Sequence, residues 1–133
     1  MHAKGDQTML NPLILALSAA ATAGPTQSPP PPFACRANAL DKTQRQRQQA
    51  LLETVRRTVL AKRELPDGLA LTFRGDSAAF VQLAEWISLE RRCCPFLAFR
   101  LEWKQDDSVS VHLTGEAGVK EFIAAEMGIT LEQ

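Results

Sequence analysis

Apolar residues recur along this chain with two periods, and each period marks a kind of element. Asp41, with Gln44 three positions on, has the form of a helix N-cap and its reaching partner. A polar, basic opening then gives way to Leu51, Leu52, Val55, Val59 and Leu60 at helical spacing, which predicts a first helix over 41–63. Leu65-Pro66-Asp67-Gly68 is turn chemistry, and after it Leu69, Leu71 and Phe73 alternate with Ala70 and Thr72 as in a half-buried strand. Asp76 or Ser77 then caps a second helix, which carries Phe80, Leu83, Ala84 and Ile87 on one stripe. Pro95 disfavours helical backbone at Cys94, so this helix is expected to stop at the Cys93-Cys94 pair. Leu97, Phe99, Leu101 and Trp103 alternate with polar or small residues, Gln105-Asp106-Asp107 turns the chain, and Val109, Val111 and Leu113 return. A last helix bears Val119, Phe122, Ile123 and Met127, with Gly128 as its stop.

The order helix, strand, helix, strand, strand, helix predicts a small α+β fold. Its type is the split βαβ or ferredoxin-like sandwich, a mainly antiparallel three-stranded sheet with helices on one face. No closing fourth strand is evident: either Ile129-Thr130-Leu131 supplies a short one, or the first helix covers that edge.

The segment ahead of these elements changes the picture of where the chain works. Residues 10–23 are apolar and alanine-rich, follow Lys4, and end in Ala21-Thr22-Ala23, the small-residue pattern before a signal-peptidase cut. Residues 1–23 are therefore expected to be a signal peptide and the protein to be exported, into the periplasm; the alternative is a cytoplasmic protein with an alanine-rich leader. Asp6 and Pro12 depart from the usual pattern, and Met9 is an alternative start. The run falls short of the roughly 20 apolar residues of a membrane span. Residues 24–34, with Pro29 to Pro32, read as an extended linker, which leaves 35–133 as a single domain with one core.

Lys and Arg total 15, as do Asp and Glu, so the net charge is zero and nothing in it favours nucleic acid or an anionic membrane. The charged run from Lys42 to Gln49 carries no interleaved aromatics and reads as a solvated face. No Gly-x-Ser-x-Gly elbow or phosphate-binding loop is present, and no organic cofactor is implied.

Candidate chemistry concentrates in Glu90-Arg91-Arg92-Cys93-Cys94-Pro95-Phe96, which holds two of the three cysteines. Thiolate is the reactive and metal-binding form; Arg91 and Arg92 favour it, while the C-terminal end of a helix opposes it. Helical spacing turns one thiol of the pair inward and the other toward the rim. The leading expectation is a metal site of Cys35, Cys93 and Cys94, because converging thiolates select a soft ion such as Cu(I), Hg(II) or As(III), for sequestration or resistance. Arg91 and Arg92 would offset the thiolate charge. Zinc would add His112, but no Cys-x-x-Cys knuckle is present and His112 alternates onto the polar strand face. The enzymatic alternative is a thiol-disulfide or peroxide-type redox protein in which Cys93 or Cys94 attacks and Cys35 resolves. A third reading has the thiols buried and inert in a structural or interaction module. Glu90, one turn before Cys94, is placed to ion-pair with Arg91 or Arg92 or to accept a proton.

From Phe33 to Phe122 the chain resembles a small bacterial family, with no activity attached to it, whose members pair an early cysteine with Glu-Arg-x-Cys-Cys-Pro-Phe. The matching pieces are Cys35 with Ala39-Leu40, Glu64-Leu65-Pro66-Asp67-Gly68, Glu90 to Phe96 with Phe99, and Thr114-Gly115 with Gly118. The resemblance implies a shared fold and site location. The chain does not closely resemble heavy-metal-associated domains, whose paired cysteines lie in a loop before the first helix.

Overall fold

The computed structural model describes residues 33–36 and 38–132; the expected leader and residues 24–32 of the expected linker lie outside them. Helix α1 (Lys42–Thr58) begins where the sequence places its cap: Asp41 is extended, its Oδ1 accepts from the Gln44 amide at 2.8 Å, and Gln44 Oε1 accepts from the Asp41 amide at 3.0 Å. Two backbone N–H groups that helix geometry leaves unpartnered are satisfied reciprocally. Asp41→Ala is therefore expected to lower stability by about 1 kcal/mol, read as a shift of the urea midpoint at unchanged slope.

The chain continues through strands β1 (Ala61–Leu65) and β2 (Gly68–Arg74), helix α2 (Ser77–Cys93), strands β3 (Ala98–Trp103) and β4 (Ser108–Thr114), and helix α3 (Val119–Met127). The fold is α+β, with three helices and a four-stranded antiparallel sheet in the order β1-β2-β4-β3. This corrects the expected three-stranded sheet. The fourth strand is the stretch assigned to the end of the first helix, which stops at Thr58 instead of residue 63. Thr58 and Val59 are β-branched and poor at continuing a helix, and Val59 turns extended at φ −61, ψ 125. Leu60 then opens the pairing by donating its amide to Thr72 O at 2.8 Å. Gly68 starts β2 because a Cβ there would fall 1.9 Å from Leu113 O on the neighbouring strand. Ile129-Thr130-Leu131 forms no strand; Ile129 donates to Ala124 O and closes α3 beside Gly128, whose φ of 66 glycine adopts without strain.

Leu69, Leu71 and Phe73 of β2 pair with Leu113, Val111 and Val109 of β4, so all six side chains share one face. Leu51 and Val55 of α1, Leu83 and Trp86 of α2, and Val119, Ile123 and Met127 of α3 join them in one buried core. All three helices thus cover the same face. The other face carries Thr72, Ser110, His112 and Arg100 and is polar. Both β2 and β3 pair with β4, so they run parallel to one another on either side of it, and α2 is the crossover between them. That crossover delivers the Cys93-Cys94 pair to the end of the helical layer. Among the described residues no helix is long and apolar enough to cross a membrane.

Candidate functional site

Asp76 caps α2 by accepting from the Ala79 amide at 3.0 Å, and the helix ends at Cys93 with Cys94 as its C-cap, as Pro95 requires. Cys94 keeps one helical bond, to Glu90 O at 2.8 Å, but leaves helical backbone at φ −121, ψ 69. Its side chain is 0% exposed and Cys93 is also buried. The expectation that one of the pair reaches the rim is corrected here: Leu40, Ala39, Leu89, Phe96, Leu97 and Phe122 pack around both.

The exposed thiol is Cys35. It arrives on a short segment pinned at two points. The Phe33 ring packs against Phe96, with centroids 4.9 Å apart, and more distantly against Phe122. Arg36 donates its amide to Cys93 O at 2.9 Å. Between these anchors Cys35 Sγ meets Cys94 Sγ at 2.9 Å, across 59 positions of sequence. Both cysteines are free, and the separation exceeds the roughly 2.05 Å of a disulfide bond.

A chain of polar contacts runs on from this pair. Cys94 Sγ donates toward Glu90 Oε1 at 3.9 Å, Gln48 Nε2 donates to Glu90 Oε2 at 2.5 Å, and Cys93 Sγ donates toward Gln48 Oε1 at 3.8 Å. Gln48 therefore joins the two thiols of the pair through Glu90. It lies within the run read as a solvated face, yet it sits one turn before Leu51 and Leu52 on the apolar stripe of α1. That position is the signal for its inward placement.

Burial is the largest influence on every titratable group in this cluster. It raises Cys94 far above the ordinary thiol range, helped by the hydrogen bond to Cys35 and by the Glu90 charge. Burial likewise raises Cys35 and Cys93, against opposing hydrogen bonds from Cys94 and Gln48 respectively. It also raises Glu90, with Gln48 opposing and Glu126 reinforcing. The contest between arginine charge and helix terminus is thus settled by a third influence, the loss of solvent. Arg91 and Arg92 are exposed, and Arg92 Nη2 donates to Ala39 O at 2.9 Å, holding the turn that packs Leu40 over the thiols.

His112 stands apart. It lies on the polar face of the sheet, between Ala70 and Arg100 in register, and its Nδ1 is 3.0 Å from Arg100 Nη2. A guanidinium only donates, so the ring nitrogen accepts and is unprotonated; burial and then Arg100 hold its pKa below the usual histidine value. Among the described residues, no group of three or more His, Cys, Asp or Glu side chains forms a metal-ligand cluster. Comparison of the chain with protein-family models, curated proteins and solved structures finds no match.

Proposed function

We propose that this protein is a thiol-disulfide redox protein in which Cys35 and Cys94 interconvert between dithiol and disulfide. The observation that carries the reading is the 2.9 Å approach of an exposed sulfur to a fully buried one. Exposure divides the labour. The Cys35 thiolate attacks a sulfur of a partner disulfide, forming a mixed disulfide and releasing one partner thiol. Cys94 then attacks the Cys35 sulfur, closes the intramolecular disulfide and releases the second partner thiol. Two electrons pass to the partner, and the two protein protons end on its two thiols. Glu90 is the local acceptor for the Cys94 proton, because both groups are raised by the same burial and touch.

The sheet supports a ferredoxin-like assignment: β1 takes the edge that a C-terminal strand would close. Export through residues 1–23 would place the pair in an oxidising compartment, where disulfides persist. A soft thiophilic ion is the competing occupant of the same sulfurs; the orientation of Cys93 toward Gln48 favours a two-sulfur pair over a three-thiolate ion.

Reduced protein treated with a small disulfide oxidant, alkylated, digested and analysed by mass spectrometry is expected to yield a Cys35–Cys94 linked peptide that dithiothreitol reverses. Cys93→Ser retains the link, while Cys35→Ser or Cys94→Ser abolishes it. A Cys93–Cys94 link, or no link, overturns the reading. Equilibrium dialysis with Cu(I), Hg(II) and As(III) tests the competitor, which requires tight binding that Cys93→Ser weakens.

A further inference from the structure

Cys35 opens on a groove of about 580 Å³ whose apolar lining is Phe33, Ala34, Phe122 and Ala125. Its charged lining is of one sign, Glu121 and Glu126, both exposed residues of α3. Among the described residues neither carboxylate forms an ion pair with Lys or Arg. Glu126 is near enough to Cys35 for its charge to disfavour the thiolate. Arg56 donates to the Glu126 carbonyl oxygen, but its guanidinium is paired with Glu53, so the two groove carboxylates repel an anionic molecule approaching that sulfur and attract a cationic one.

We propose that the disulfide partner of Cys35 is a cationic, apolar peptide, a cysteine flanked by an aliphatic or aromatic residue and by Lys or Arg. The apolar side chain lies on the Phe33 and Phe122 rings, and the cationic group meets Glu121 and Glu126. This rests on the redox reading. The mixed disulfide joins Cys35 to the peptide cysteine and releases the thiol formerly bonded to it; Cys94 then displaces the peptide as a thiol. The oxidant is the peptide disulfide itself. An anionic disulfide such as oxidised glutathione is disfavoured by the same two carboxylates.

The test compares reduced full-length protein reacting with two symmetrical peptide disulfides that share leucine and cysteine and differ only in lysine against glutamate. The lysine peptide is expected to react about 3- to 30-fold faster at low salt, the effect of two exposed ion pairs. That preference should shrink in 1 M salt and in the Glu121→Gln, Glu126→Gln protein. Equal rates, or a faster glutamate peptide, overturn the partner assignment while leaving the Cys35–Cys94 cycle standing. If neither peptide reacts, the redox reading fails. The groove is then judged by titrating thiol-free lysine and glutamate peptides, with serine for cysteine, into the Cys35→Ser protein: preference for lysine supports it, and no preference or no binding overturns it.

Discussion

Reduced protein taken from pH 9 to pH 11 is expected to lose about 2 kcal/mol of folding stability through Cys94 alone. In the unfolded chain this thiol ionises around its ordinary value of 9.0, whereas in the folded chain burial, the Cys35 hydrogen bond and the Glu90 charge hold the proton on. Above pH 9 the native state thus binds more protons than the unfolded state. Stability is fully present below that pH and falls by about 1.4 kcal/mol per pH unit until the folded pKa is reached. Cys35 and Cys93 are raised too and act in the same direction. So does Glu90, at a lower pH: it is raised from 4.5, so its share declines as pH rises above that value. Urea unfolding under reductant across pH 8 to 11 reads the slope, and the chain has no tyrosine to complicate it. Cys94→Ala should remove about 1.4 kcal/mol per unit of that slope, whatever it does to stability at neutral pH. A slope unchanged by Cys94→Ala would sink the assignment. Closing the Cys35–Cys94 disulfide should flatten the curve further, since two of the three titrating thiols are then absent.

What the sequence made legible follows from how each residue is used. Asp41 and Gln44, Asp76, Pro95 and Gly128 act on backbone within a few positions of themselves, so the helix ends they set can be read locally. The exception is the end of α1. Residues Ala61 to Glu64 are all exposed, and their Lys62-Arg63-Glu64 run carries no period-2 apolar signal. Charges on an edge strand keep other strands from pairing with it, and the same charges make it read as the tail of a polar helix. Leu60 misleads in the same way: it completes an apolar spacing in sequence yet is 70% exposed.

The site divides along the same line. Glu90, one turn before Cys94, is visible from helical spacing. The meeting of Cys35 with Cys94, and the burial of Cys93 and Cys94 together, depend on Phe33 and Leu40 packing from a segment outside any helix or strand. No periodicity encodes that. Its trace in the sequence is a lone Phe after four prolines, two residues ahead of the cysteine it positions.

Phe33→Ala is accordingly expected to uncouple the two thiols. Truncating a buried phenylalanine costs about 3 to 5 kcal/mol, and here that loss falls on the segment that carries Cys35. With the ring gone, the Arg36 bond to Cys93 O and the Ala39 bond to Arg36 O are, among the described residues, the backbone contacts left to hold it. The effective concentration of Cys35 at Cys94, measured from the protein's disulfide equilibrium with a glutathione buffer, should fall by about 100-fold, which corresponds to about 3 kcal/mol. Phe33→Leu should restore much of it. Leu71→Ala, in β2 at 0% exposure, is the contrasting case: a loss of about 2 to 5 kcal/mol in global stability with little change in the thiol equilibrium, provided the protein remains folded. Equal loss of effective concentration in Phe33→Ala and Leu71→Ala would mean that the whole domain, and not the Phe33 anchor, brings the sulfurs together. Separation of the two would place control of the Cys35–Cys94 approach in four residues ahead of the first helix, where Phe33 and Cys35 line the same groove.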